Sequence, residues 1–312
     1  MQIFAVIDLG SNSARLYAWQ IDGDNQPVQV IKQKAMVRLS EKMGEDKQLQ
    51  EAAIERTIET LKAFKQALAP YGEAVTLRAF ATAATRQAAN QKDFLRRVKK
   101  ATDIELEVIP GTREATLDYQ GVINTLPVQN ALIMDTGGAS TELILVQNAK
   151  MQHVVSIPFG SVNLSERFLN RDVISAPEYF TMATAINRIL NGIWWLKKAQ
   201  NLPIIALGGS NRTLAKIQRR KDLVTNFEDI HGYRMATSDV NAIFTSVLAK
   251  NLEERKAIAG LAKERADIIV AGLMPLVTMI QYLDSDRLVF SQNGLREGAL
   301  YEFLNQSAMA PA

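Results

Sequence analysis

One short pattern occurs twice in this chain. An apolar strand runs into Asp-x-Gly and then into small polar residues, as "VIDLGSNS" at 6–13 and as "IMDTGGAS" at 133–140. The elements predicted around the two copies follow one order. In the first half, strands fit 2–8, 13–20 and 28–38, with turns at "SN" and "DGDNQP". A helix fits 46–69, because Leu49, Ile54, Ile58, Leu61, Phe64 and Leu68 share a face and Pro70 and Gly72 end it. Strand "AVTLRAF", a helix through "QKDFLRRV", strand "IELEVI" and a helix from Thr112 to Thr125 complete the half.

Pro127 interrupts the chain and the order starts again. Strands fit 131–135, 141–147 and 152–157, followed by a helix near "NLSERFL". Ser175, Pro177 and Glu178 open a longer helix as a capping box, with Ser as N-cap and Glu three residues on. Then come strand "PIIAL", a helix after Gly209, a long helix through "ERADIIVAGLMPLVTMIQYL", strand "RLVF" and a final helix from Leu295. Both halves reduce to β-β-β-α-β-α-β-α. The expectation is an α/β chain of two similar domains, 1–125 and 126–312, with the final helix packing back on the first. Similar lobes of this kind enclose a cleft, where ligand sites are favoured.

Bulk properties narrow the partners. A chain of 312 residues, 47% hydrophobic and 22% charged, suits two soluble domains. Cysteine is absent, which excludes disulfides and thiolate chemistry and fits a reducing, cytoplasmic setting. The start "MQIFAVIDLG" has no basic region and its apolar run stops at Asp8, so no signal peptide is expected. The longest uncharged run, 268–283, is too short to span a bilayer and contains Pro275, so a buried helix is expected there. A net charge of +3 names no partner. Two basic clusters, "RRVKK" at 96–100 and "KIQRRK" at 216–221, can attract polyanions, but each reads more readily as a solvated helix face. No nucleic-acid or membrane partner is expected, and a homodimer is left open.

The duplicated turns suggest chemistry. Gly10 allows close backbone approach, and the amides and side chains of Ser11, Asn12 and Ser13 can form a concave anion nest. Gly137, Gly138, Ala139 and Ser140 offer the same arrangement. A plain hairpin turn would explain either copy alone. Two copies at equivalent points favour phosphate. A carboxylate beside a phosphate repels it unless a cation intervenes, so Asp8, Asp135 and Glu142 read as ligands of a hard divalent ion such as Mg²⁺. In "IIALGGSNRTLAKI", Gly208, Gly209 and Ser210 stand at a helix start suited to an anion. "LVFSQNGLREGAL" has a similar form around Gly294. Each of these two is equally a capped helix start. Arg86 follows a strand end, where it can clamp a phosphate or do nothing.

Together these residues resemble the exopolyphosphatase / guanosine-pentaphosphate phosphatase family of the actin, sugar-kinase and chaperone-ATPase superfamily. The resemblance rests on "AVIDLGSNSARL", "FATAATRQAANQKDFLRRV", "VIPGTREATLDYQGV", "IMDTGGASTEL", "SIPFGSVNLSERF", "IIALGGSNRTLAKI", "KERADIIVAGL" and "SQNGLREGAL", in order along nearly the whole chain. It implies duplicated actin-like, ribonuclease H-like domains. It also implies Mg²⁺-dependent removal of the terminal phosphate of inorganic polyphosphate or guanosine pentaphosphate. The family's catalytic glutamate falls on Glu114, its acidic pair on Asp135 and Glu142, and its phosphate arginine on Arg86. Its phosphate turns fall on Gly10–Ser13, Gly137–Ser140 and Gly208–Ser210. From position alone, Glu114 reads as a carboxylate in the first turn of a helix capped by Thr112, where the dipole favours it by about 0.3–1 kcal/mol.

Two departures stand out. Ala139 occupies the place of a third glycine, and Arg113 stands where some members have an acidic residue. The short chain resembles the two-domain class of the family. Two rivals are an ATP-using kinase of the same superfamily and a non-catalytic polyphosphate or guanosine-pentaphosphate sensor.

Overall fold

Each half of the chain builds one mixed sheet, and the hairpin carrying the duplicated pattern lies inside it. The computed structural model describes residues 2–22, 26–170 and 172–309. The turn expected at "DGDNQP" lies partly outside the described residues. The first half contains β1 (Gln2–Leu9), β2 (Ala14–Ile21), β3 (Pro27–Ala35), α1 (Glu51–Leu68), β4 (Val75–Ala81), α2 (Ala83–Gln87), α3 (Gln91–Thr102), β5 (Glu107–Val108) and α4 (Gly111–Ile123). Next come β6 (Ala131–Thr136), β7 (Thr141–Gln147), β8 (Lys150–Ile157), α5 (Ser161–Phe168), α6 (Ala176–Asn191), β9 (Ile204–Gly208) and α7 (Gly209–Lys221). The remainder is β10 (Arg234–Ala236), α8 (Thr237–Leu248), α9 (Leu252–Lys256), α10 (Ile269–Leu283), β11 (Arg287–Phe290) and α11 (Leu295–Met309).

Packing divides these elements into two units. One runs to Gly121 and resumes at Leu295, and the other is Val122–Gly294. The first sheet has the order β3-β2-β1-β4-β5 and the second β10-β11-β9-β6-β7-β8. From the hairpin side, β8-β7-β6-β9-β11 repeats the first order, and β10 is an antiparallel strand added at the edge. β1 pairs antiparallel with β2 and parallel with β4, and β6 does the same with β7 and β9. This is the duplicated actin-like α/β arrangement.

The apolar run of β1 is continuous because both its faces are covered. Ile3, Ala5, Ile7 and Leu9 pack with the α1 face, where Leu49, Ile54, Ile58, Leu61, Phe64 and Leu68 are all buried as predicted. Phe4 and Val6 alternate to the other side and meet Leu295, Ala299 and Leu300 of α11. Asp8 continues that second face, which is why α11 can reach it. The uncharged run becomes α10, buried along nearly its whole length with Pro275 inside it. No helix among the described residues is long and apolar enough to cross a membrane.

Several boundaries differ from expectation for identifiable reasons. The helix predicted from residue 46 starts at Glu51, because Lys42, Gly44 and Lys47 have φ of 55°, 62° and 51°. The helix through "ERADIIVAGL" begins only at Ile269, and Lys263–Arg265 form a separate 3₁₀ turn. β10, α8 and α9 carried no prediction. α8 is rich in β-branched residues, which weaken the helical signal. Thr112 is not the cap of α4. It lies inside the first turn, and the Pro110 carbonyl accepts from the amides of Arg113 and Glu114, both at 3.0 Å. The Ser175–Glu178 capping box is present, with Ser175 N donating to Glu178 Oε2 at 2.7 Å.

α11 grips α4 closely. A Cβ on Gly298 would lie 1.9 Å from the Leu117 carbonyl. Beyond it, Arg113 donates through both Nη atoms to the two carboxylate oxygens of Glu302, each at 2.5 Å. This bond, helped by the Glu302 charge and opposed by burial, holds the Arg113 guanidinium above its ordinary range. The residue that departs from the family pattern is thus one half of a bidentate clamp. Arg113→Glu should lower stability by about 1 kcal/mol or more. Arg113→Glu combined with Glu302→Arg should recover most of it in denaturant unfolding. Equal loss in the single and double variants would remove the clamp from consideration.

Candidate active site

The two duplicated turns have one geometry. Gly10 N donates to Ser13 O at 3.1 Å, and Gly137 N donates to Ser140 O at 2.9 Å. In both turns the outward carbonyls are held. Ser11 O accepts from Ser40 N at 2.9 Å and Asn12 O accepts from Arg38 N at 3.0 Å. Gly137 O accepts from Ser161 N at 3.0 Å and Gly138 O from Val162 N at 2.8 Å, at the start of α5. In a trans peptide the N–H of the next residue points opposite to the C=O. Fixing these carbonyls therefore turns the amides of Asn12, Ser13, Gly138 and Ala139 to the other side, as an anion nest requires. In the first turn Asn12 Nδ2 is buried without a hydrogen-bond partner, an orphaned donor at the site.

Gly160 makes the second turn possible. A Cβ there would stand 2.6 Å from Gly138 C and 2.7 Å from Ala139 N. Gly160→Ala should push the turn out of place at a cost of about 1–3 kcal/mol, read as a lower denaturation midpoint together with lost activity. Retention of both would show that the turn can shift freely. Ala139, the departure from three glycines, is buried, and its carbonyl accepts from Asn163 Nδ2 at 3.3 Å.

The two hairpins share one register but carry different charge across it. Asp8 lies directly opposite Arg15, and at the equivalent place Asp135 lies directly opposite Glu142. Asp8 Oδ2 accepts from Arg296 Nη1 at 2.8 Å and Arg15 Nη1 at 3.3 Å. Arg296 is buried and also lies over the Tyr17 ring at 4.4 Å. Burial opposes its charge, but Glu297 and Asp8 outweigh that and hold the guanidinium above its ordinary range. The first hairpin is thus neutralised by protein cations. In the second, two carboxylates face each other. Glu142 is 1% exposed, and Ser156 Oγ donates to its Oε1 at 2.7 Å. Like charges directly opposite destabilise a hairpin, so this pair suits a cation. No group of three or more His, Asp or Glu among the described residues forms a metal cage. A carboxylate pair completed by phosphate and water oxygens fits Mg²⁺, which seldom uses an all-protein cage.

The third turn joins the second. Gly208, at φ 97°, ends β9, and a Cβ there would lie 2.8 Å from Asp135 Oδ1. Asn211 Nδ2 donates to Leu207 O at 2.6 Å and ties the start of α7 to the strand end. A Cβ on Gly209 would lie 2.3 Å from Arg265 Nη1, so a guanidinium lies against this turn. Ser210 is buried under α10, where a Cβ on Gly272 would lie 2.0 Å from its Oγ.

In the first unit, Leu9, Ala81 and Val108 end adjacent strands in register. The Gly10 turn, α2 and α4 leave from these carboxyl ends, where α/β sheets place ligands. Arg86, on α2, donates through Nη1 to Ile109 O at 2.8 Å and to Glu114 Oε2 at 3.2 Å. Two of the predicted site residues are thus one ion pair. Asp135, Glu142 and the turns at 137–140 and 208–210 are gathered in the second unit. The residues not foreseen are Arg15, Arg265 and Arg296. They stand in "DLGSNSARL", "KERAD" and "GLREG", but no local spacing ties them to the turns they touch.

The family model described as Ppx/GppA phosphatase family matches residues 20–307. A bifunctional 3-dehydroquinate synthase/phosphatase from Fusobacterium nucleatum is 30% identical, over 96% of this chain and 46% of that protein. A guanosine-5'-triphosphate,3'-diphosphate pyrophosphatase from Photobacterium profundum is 28% identical, over 97% of this chain and 60% of that protein. The chain therefore spans only about half of these two relatives' length. The crystal structure of an exopolyphosphatase from Cytophaga hutchinsonii superimposes with a TM-score of 0.91 at 28% identity, covering 98% of each chain. With its duplicated fold and its match from residue 20 to residue 307, this chain belongs to the Ppx/GppA phosphatase family.

Proposed function

We propose that the chain is a Mg²⁺-dependent phosphoanhydride hydrolase that removes the terminal phosphate of inorganic polyphosphate. One observation carries the reading. Asp135 and the buried Glu142 face each other across a hairpin beside an amide-lined turn, an arrangement that calls for a cation and an anion together. Asp135 and Glu142 would hold Mg²⁺. When bound, the ion supplies charge stabilisation to phosphoryl oxygens. In the first unit, Asp8 Oδ2 is committed to Arg296 and Arg15 instead.

The chain's own groups do the rest. The amides and side chains of Gly10–Ser13, Gly137–Ser140 and Gly208–Ser210 bind phosphate oxygens. Glu114 takes a proton from the attacking water. Arg86 fixes the Glu114 carboxylate through Oε2. Phosphoryl transfer passes through a loose transition state, so positioning and charge supply most of the rate.

The test is phosphate release with no acceptor present. Long polyphosphate, guanosine pentaphosphate and ATP are incubated in parallel, each with Mg²⁺ and with a chelator. Mg²⁺-dependent release from polyphosphate is expected. Release from guanosine pentaphosphate alone would move the substrate to the reading that the Photobacterium relative's name suggests. Tight binding without release would make the protein a sensor.

A further inference from the structure

The two basic clusters of the sequence have different fates. On α3, Arg96 pairs with Asp93, Arg97 with Glu51 and Glu55, and Lys99 with Asp103. That cluster is largely neutralised. On α7, every residue after Gly209 that is not buried is a cation: Arg212, Lys216, Arg219, Arg220 and Lys221. Lys216 pairs with Glu228 at 2.7 Å. Arg219 lies over the Tyr233 ring at 5.2 Å and donates to Asn226 O at 2.8 Å, and Arg220 lies over the Phe227 ring at 3.6 Å. Ring contacts occupy the guanidinium faces and leave edge donors for an anion. The helix dipole accounts for cations in the last turn only. Arg212 sits in the first turn, against the dipole.

The stripe starts at a phosphate turn. Arg212 Nε donates to Gly208 O at 3.1 Å. From there the cations recur about once per helical turn as far as Lys221, over roughly 14 Å at 1.5 Å per residue. Resting on the hydrolase reading above, we infer that the solvent face of α7 is an extended subsite for the distal part of a linear polyanion, and that it favours long inorganic polyphosphate over a nucleotide. A long chain of repeating charge can run the length of the stripe, whereas the phosphates of a nucleotide end near its beginning.

The test compares wild type with Arg220→Glu/Lys221→Glu, and with Lys62→Glu on the exposed face of α1 as a charge control. The ratio of kcat/KM for long-chain polyphosphate to that for tripolyphosphate should fall about tenfold in the double variant and stay constant in the control. The fall should shrink as salt is raised. Metal-free binding of long-chain polyphosphate, measured directly, should weaken in parallel. An unchanged ratio with unchanged binding overturns the subsite. If wild type hydrolyses neither substrate, the hydrolase reading fails, and the binding comparison alone decides the stripe.

Discussion

Replacing Glu114 with glutamine should lower turnover by about 10²–10⁴, the range for loss of a general base. Glutamine keeps the shape and can still accept from Arg86, so KM should change little. The structural contribution of Glu114 is a favourable dipole interaction at the start of α4, worth about 0.3–1 kcal/mol. Even if all of that were lost in the transition state, it would account for only about a fivefold effect. A large fall in kcat beside a small fall in unfolding midpoint therefore separates base from helix cap. Phosphate release and thermal unfolding on one preparation decide it, and full activity in the variant would place the base elsewhere.

Glu142→Gln should move activity and stability in opposite directions. The amide still accepts from Ser156, but the repulsion across the hairpin disappears. Metal-free protein should gain about 0.2–1 kcal/mol, a shift of roughly 1–4 °C in a unit of this size. Activity should drop by about 10² or more, because one of the two carboxylates proposed to hold the ion is gone. Stabilisation by added Mg²⁺, strong in wild type, should fade with it. A variant destabilised without metal would mean that the carboxylate pair is satisfied by protein groups alone, and the cation would lose its place there.

Much of the fold was legible because its signals are local. The α1 stripe, the capping box at Ser175 and the uncharged run of α10 each declare an element without reference to the rest. The duplicated Asp-x-Gly turns declared the pairing of the halves. What stayed hidden is long-range. Arg296 meets Asp8 across 288 positions, and no periodicity reports such a contact. Asp8 and Asp135 look alike in sequence, yet one faces Arg15 and the other Glu142. The register is the same in both hairpins, so the residue type at the paired position makes that difference, and a matching motif conceals it. The absence of helix between residues 42 and 47 came from left-handed backbone at Lys42, Gly44 and Lys47, which apolar spacing does not register.

The first unit is discontinuous in sequence, since α11 returns to it after the whole of Val122–Gly294. On the ribosome the middle of the chain can fold as it emerges, while the opening sheet waits with one face bare. Until residues 295–306 have been made, Phe4 and Val6 lack their cover and Asp8 lacks Arg296. Nascent protein should thus hold its Gly10–Ser13 turn unfinished until α11 has been made, an ordering in time set by the return of the chain to its first sheet.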